Sequence, residues 1–303
     1  MGRLRMRDET FTWDRPLVMG IVNANPDSFS DPGARTPASV VARAVALVAD
    51  GAGALDVGAQ SAITGRQPAD PGDEVASVVP VVRAVVDACP GVLVSVDTFK
   101  PAVARAVLEA GAHLINDVSG LADATIARLC AEAGAGLVVM HTAAPPLVRR
   151  QEPGLYRRVG TEVAAFLAER IGAAVAAGVD PQAVVVDPGI DFTKTPTQTV
   201  ELLRDLGPVV DLGRPLLLAL SRKDFVGALT GRAPAERDPG TLGAVAALRH
   251  VPAQMLRVHD VAGTVDMLRV LDALSGDGRL PAELILDEEL RHQPHAGGSV
   301  TGG

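Results

Sequence analysis

Eight times along this chain a short apolar run ends in a polar residue and gives way to a helical pattern. The runs are residues 17–22, 54–57, 93–96, 114–115, 136–140, 184–186, 216–220 and 255–258. Runs this short and this apolar predict strands buried on both faces, the condition of a parallel sheet covered by helices. Between them lie Ala-, Val- and Leu-rich amphipathic segments such as 37–50, 101–110, 124–133 and 161–177. Gly111, Gly134 and Gly178 follow three of them, where the left-handed end of a helix favours glycine. Eight alternations predict an α/β fold, a single closed (β/α)8 TIM barrel. A doubly wound open sheet is the alternative. It needs a phosphate loop after the first strand, and Asn23-Ala-Asn-Pro is not one.

The size agrees, since such barrels use about 250 residues as one domain. Residues 1–12 read as an N-terminal extension, 13–275 as the barrel, and 276–303 as a flexible tail ending in a Gly-rich stretch. Only 3% of the residues are aromatic against 48% apolar, so the core must be mostly Ala, Val, Leu and Ile. A net charge of −8 without basic runs excludes a nucleic-acid footprint. Cys89 and Cys130 fall in helical segments and read as buried small hydrophobes, with no Cys/His metal spacing. No run of about 18 apolar residues occurs, so no membrane partner and a cytoplasmic location are expected.

Barrel chemistry sits at the C-terminal strand ends. Those positions read Asn23, Asp56, Asp97, Asn116 with Asp117, His141, Asp187, Ser221 with Lys223, and Arg257 with His259. One such residue is ordinarily a helix N-cap; polar groups at all eight ends are hard to explain as caps alone. Strands two to six supply carboxylates and amides, which suit a heterocycle rich in N–H donors, such as a pterin. Lys223, Arg257, His259 and Asn23 suit a phosphate or pyrophosphate with a magnesium ion. Asp117 reads as structural, because its neighbour Asn116 takes the opposite side of the strand. His141 reads equally as structural or ligand-binding. Arg222 reads as an ion-pair scaffold, His113 as a surface residue, and Trp13 and Tyr156 as packing or lid residues.

The chain resembles the dihydropteroate synthase family from about residue 15 to 275. The motifs are Met19-Gly-Ile-Val-Asn-Ala-Asn-Pro-Asp-Ser-Phe-Ser-Asp31, Val94-Ser-Val-Asp-Thr98, Ile115-Asn-Asp117, Met140-His141, Asp187-Pro-Gly-Ile190, Ser221-Arg-Lys223 and Arg257-Val-His-Asp260. The resemblance implies joining of 6-hydroxymethyl-7,8-dihydropterin pyrophosphate to 4-aminobenzoate, with pyrophosphate leaving. It implies a pterin site of Asp56, Asp97, Asn116, Met140, Asp187 and Lys223. Asp56 also reads as a supporting partner of that site. Asn23 would bind Mg2+, and Arg257 with His259 the pyrophosphate. Ser221 and Lys223 would border the aminobenzoate. Lys223, Arg257 and His259 are the implied catalytic set, and a homodimer through helices near the end of the barrel is implied, with which 241–248 is compatible.

Departures from the family pattern cluster. Its Gly-Gly-Glu-Ser-Thr-Arg-Pro-Gly loop is here Gly58-Ala-Gln-Ser-Ala-Ile-Thr-Gly65, so Ala62, Ile63 and Thr64 replace Thr, Arg and Pro. Losing an Arg that pairs with phosphate removes a contact worth roughly 1.5–3 kcal/mol; Arg66 lies three residues on. Asn25 stands for a Thr, Asp191 and Thr193 for two glycines, and Ala144 and Ala219 each for one. Several of these resemble a second, diverged synthase-like paralogue of actinobacteria. The alternatives to the synthase are therefore a diverged pterin transferase and a non-enzymatic pterin binder. A methyltetrahydrofolate-binding methyltransferase is disfavoured by Pro-Asp-Ser-Phe-Ser-Asp and Ser-Arg-Lys.

Overall fold

The computed structural model describes residues 1–7, 9–24, 36–58, 69–276, 280 and 283–291. The chain opens with a hairpin, β1 (Gly2–Met6) and β2 (Glu9–Trp13), and then alternates strands and helices. In order these are β3 (Leu17–Asn23), α1 (Pro37–Ala49), β4 (Ala54–Gly58), α2 (Pro71–Ala88), β5 (Leu93–Asp97), α3 (Pro101–Glu109) and β6 (Leu114–Asp117). Next come α4 (Ala124–Ala133), β7 (Gly136–Met140), α5 (Val159–Ala176), β8 (Val184–Asp187), α6 (Pro196–Arg204) and α7 (Gly207–Val210). The last are β9 (Leu216–Leu218), α8 (Asp224–Thr230), α9 (Asp238–Leu248), β10 (Gln254–Val258) and α10 (Val261–Ser275).

Strands β3 to β10 close into one parallel barrel in the order β10-β3-β4-β5-β6-β7-β8-β9. Each of the eight apolar runs carries one strand. The seventh run reads two residues too long, because Ala219 and Leu220 already lead into the turn before α8. The core is aliphatic: Val94, Val138, Val185, Leu217 and Leu256 are fully shielded from solvent. Five of the helices begin where a short polar residue satisfies free N–H groups. Thr36 and Thr195 form capping boxes, and Asp70, Asp123 and Asp260 cap α2, α4 and α10. Proline opens α1, α2, α3 and α6, where its missing N–H is not needed. Gly111, Gly134 and Gly178 all have positive φ, as their helix-end positions require.

Residues 1–12, read from sequence as an extension, carry most of an antiparallel hairpin that pairs Gly2–Met6 with Glu9–Trp13. Leu4 and Met6 are buried, and the Arg7 guanidinium donates to Leu108 O and Ala112 O beside the start of β6. The hairpin therefore covers the end of the barrel opposite the strand-end polar row. His113, expected at the surface, is half-buried there: its Nδ1 accepts from Val94 N at 3.0 Å and its ring meets Phe11. Cys89 and Cys130 are buried thiols, as read. Past α10, residues 283–291 carry a single 3-10 turn at Glu288–Leu290. Among the described residues no helix is long and apolar enough to cross a membrane.

Candidate active site

Strand register places the first group of polar side chains. Asp56 lies opposite Ser95, and Asp97 opposite Asn116, on neighbouring strands. The Asp56 carboxylate is fully buried and accepts three hydrogen bonds. Ser95 Oγ donates to Oδ1 at 2.6 Å, while Asn116 Nδ2 (3.2 Å) and Arg257 Nε (2.6 Å) donate to Oδ2. Arg257 crosses from β10 and also reaches Asp97 Oδ2 at 3.4 Å. A buried carboxylate this well satisfied is tolerable only with such partners. Asp56 is thus a hub that ties β4, β5, β6 and β10 together.

Two groups in this cluster remain open to a ligand. Asn116 Oδ1 is buried and accepts no hydrogen bond among the described residues; such an unpaired acceptor costs about 1–3 kcal/mol until a donor reaches it. Burial, reinforced by the charge of Asp56, pushes the Asp97 carboxyl up to about 7, with Arg257 opposing. Near neutral pH it can therefore either donate or accept.

The second group stands on β8, β9 and the loops that follow. Asp187 ends β8 opposite Met140, which is buried at the end of β7. Its Oδ1 accepts from Gly189 N at 2.7 Å, closing a tight Asp-Pro-Gly turn. Gly189 has φ 69°, and a Cβ there would collide with the backbone oxygen of His141. Burial raises the Asp187 carboxyl, while the Gly189 N–H and the Lys223 and Lys194 charges hold it down. Ser221 Oγ pairs with His259 Nδ1 at 2.8 Å and also accepts from the His259 N–H at 3.2 Å. Burial and the nearby Arg222 and Arg257 push His259 down to about 3. His259 is thus a neutral imidazole; it can offer a ring N–H to an anion but no charge. Arg222 makes a two-pronged pair with Asp238, both contacts 2.8 Å, the scaffold role expected of it.

Beneath this group lies a residue the sequence reading missed. Lys194 is completely buried, and its Nζ contacts His141 Nδ1 (2.9 Å), Gly189 O (2.9 Å) and Phe192 O (3.1 Å). Burial lowers its amine to about 7, with Asp187 and Asp191 opposing. Burial and Lys194 lower His141 to about 3. His141 is therefore a structural imidazole packed on Phe166 and Tyr156. Asp191 (φ 63°) and Thr193 (φ 52°) keep left-handed backbone without being glycine, at about 1–2 kcal/mol each. Thr193 Oγ1 accepts from Ala143 N and pairs with the Tyr156 hydroxyl, so it ties this loop to the one after β7. Nothing in hydrophobic periodicity marks a buried lysine inside a connection. Arg43 of α1 was also unmarked; its Nη2 donates to His259 O at 3.2 Å.

Asp117 behaves as read: its two oxygens accept from Ser119 N and Leu121 N and shape the turn before α4. Asn23 ends β3, half-buried, opposite Gly58. Among the described residues, no group of three or more His, Cys, Asp or Glu could hold a metal. Asn25, Ala62, Ile63, Thr64 and Arg66 lie outside the described residues. At the mouth, a cavity of about 560 Å³ is lined by Arg149, Asp191, Phe192, Lys223 and His259, among others. It has the size of a small-molecule site. It opens on the β7–β10 side, while Asp56, Asp97 and Asn116 are tied together in the interior.

The model of the family described as pterin binding enzyme matches residues 19–259. Dihydropteroate synthase of Mycobacterium leprae is 42% identical over 266 residues, 84% of this chain and 92% of that protein. The inactive dihydropteroate synthase 2 of Mycobacterium bovis is 41% identical over 272 residues, 87% of this chain and 84% of that protein. The structure of Xanthomonas albilineans dihydropteroate synthase with 4-aminobenzoic acid superposes with a TM-score of 0.81 at 41% identity, covering 90% of this chain and 98% of that one. With the strand-end cluster and the barrel both in place, this chain belongs to the dihydropteroate synthase family of pterin binding enzymes.

Proposed function

We propose that this chain joins 6-hydroxymethyl-7,8-dihydropterin pyrophosphate to 4-aminobenzoate, as a dihydropteroate synthase in folate synthesis. The observation that carries the reading is the interior cluster of Asp56, Asp97 and Asn116 with an unpaired acceptor, facing the same barrel mouth as Asp187 and Lys223. A pterin edge offers several N–H donors to such acceptors. Lys223 donates to a ring acceptor, and Met140 packs the ring from the wall. In the reaction the bond between the pterin methylene and the pyrophosphate oxygen breaks. The aniline nitrogen forms the new C–N bond and loses a proton to solvent. A neutral aniline is already a nucleophile, so the main task is to stabilise the departing charge. Arg257 supplies the cation and neutral His259 a hydrogen bond, while Ser221 borders the aminobenzoate beside Lys223.

Magnesium suits this donor set. The ion commonly takes one or two protein oxygens and completes its shell with phosphate oxygens and water. The Asn23 side-chain oxygen is one such donor. When bound, the ion would neutralise charge on the pyrophosphate. A homodimer is supported by α9, which is apolar with no polar face, and by Leu229, Val270 and Leu274 exposed on its neighbours α8 and α10. Light scattering of the purified chain should give twice the chain mass; a monomer would refute that part.

The test of function is incubation with the pterin pyrophosphate, Mg2+ and 4-aminobenzoate. Dihydropteroate and pyrophosphate should appear in equal amounts. Saturable pterin binding without product would instead select a diverged pterin binder. The likeness to the inactive Mycobacterium bovis protein and the replacement of the loop Arg by Ile63 favour that second reading.

A further inference from the structure

The connection between β8 and α6 carries more constraint than a link between two elements needs. Asp191 and Thr193 hold left-handed backbone, which persists only where the surroundings over-determine it. Asp191 accounts for much of that. Its Oδ1 accepts from Thr199 Oγ1 of α6 at 2.9 Å, and its Oδ2 accepts from Phe225 N of α8 at 3.2 Å. Helix α8 begins after Lys223, whose own side chain caps nothing. Asp191 therefore caps α8 from a different loop. The residue at that junction, Lys223, places its Nζ 4.5 Å from the centre of the Phe192 ring. One short segment thus bears on both ends of the lysine: on the backbone through the cap, and on the ammonium through the Phe192 ring.

We propose that Asp191 is the positioning residue of Lys223, setting where its ammonium stands toward the pterin, and so governs how tightly the pterin is bound. The inference rests on the role given to Lys223 under the proposed function. The charges around Lys223 are Asp187 from β8, Asp191, Asp224 of its own helix, Arg257 from β10, and Lys194 from below. Asp224 is drawn to Arg237 at 3.1 Å, and Asp187 gives one oxygen to the Gly189 N–H. Burial pushes the Lys223 amine below its ordinary range; Asp191 is the leading opposing charge, ahead of Asp187. Without Asp191 the amine sheds its proton at lower pH. A neutral amine is a weaker donor to a ring acceptor than an ammonium.

The test is affinity for 6-hydroxymethyl-7,8-dihydropterin pyrophosphate with Mg2+, by calorimetry from about pH 6.5 to pH 9.5. Asp191→Asn removes only the charge: its amide oxygen can accept from Phe225, its NH2 can donate to Thr199, and Asn tolerates left-handed φ. The expected result is a loss of up to about tenfold in affinity that grows from the acid to the alkaline end of that range, with an unchanged melting temperature. Lys223→Met, measured alongside, separates the outcomes. If it weakens binding while Asp191→Asn keeps the shape of the unaltered pH profile, the inference fails and the pterin role of Lys223 stands. If Lys223→Met binds as tightly as the unaltered chain, that role fails and the inference with it. Asp191→Gly, which suits φ 63°, replaces the Asn variant under the same criterion should the latter not fold.

Discussion

The two sides of the barrel mouth are held in place by different means. On the β4, β5, β6 and β10 side, strand register brings Asp56, Ser95, Asn116 and Arg257 together, and they satisfy one another. On the β8 and β9 side, a loop does the work, with two strained non-glycine residues over a buried lysine. The first arrangement follows from a closed barrel with those residues at those strand positions. The second depends on side chains that sequence neighbours do not specify. The electrostatics are opposite as well. One side forces a carboxyl, Asp97, up to about 7; the other forces an amine, Lys194, down to about 7. A carboxylate and amide cluster set by strand register thus faces a loop-built group that stands over a buried lysine.

The largest effect should come from breaking the hub. Asp56→Ala strands the Arg257 guanidinium and two donors, and should cost about 3–5 kcal/mol in denaturant unfolding. A loss below about 1 kcal/mol would mean the register side is not held as described. On the loop side, Gly189→Ala meets both a backbone collision and φ 69°, and should cost about 2–3 kcal/mol with loss of pterin affinity. The opposite charges give opposite pH slopes. Asp97 has its folded carboxyl raised from 3.8 to about 7, so its contribution is full below pH 3.8 and is lost as pH rises through 7. Lys194 has its folded amine lowered from 10.5 to about 7, so its contribution is full above pH 10.5 and is lost as pH falls through 7. The stability of the unaltered chain relative to Asp97→Asn should therefore fall between these limits on the acid side. Relative to Lys194→Met it should rise on the alkaline side. Slopes of one sign in both comparisons would contradict the division. The smallest effect is expected at Thr193→Gly, where relief of φ 52° offsets the lost bonds to Ala143 and Tyr156, leaving a net change within about 1 kcal/mol.

This contrast also explains what was legible in the sequence. The barrel could be read because an apolar run needs only its own residues to declare a buried strand, and the strand-end polar row follows once the strands are placed. Asp117 and Arg222 could be read as structural for the same local reasons. Lys194 could not, since nothing near it in sequence announces that His141, Gly189 and Phe192 will converge on its amine. The role of His141, open between two readings, was decided only by that contact. His113 was misjudged, and the pairing inside the extension of residues 1–12 was not legible, because a short segment before the first barrel strand has no period of its own; its partner is the barrel end. His259 was legible as a strand-end residue, but its neutral state depends on burial and on Arg222 and Arg257 nearby.

The claim on which the rest depends is that this mouth holds a pterin through its strand-end acceptors. It is tested most directly by titrating the unaltered chain and Asp187→Ala with 6-hydroxymethyl-7,8-dihydropterin pyrophosphate and Mg2+. The account predicts saturable binding of one pterin per unaltered chain and a loss of about a hundredfold in the variant, the scale of a buried charged hydrogen-bond partner. Equal affinity in the two proteins would contradict it.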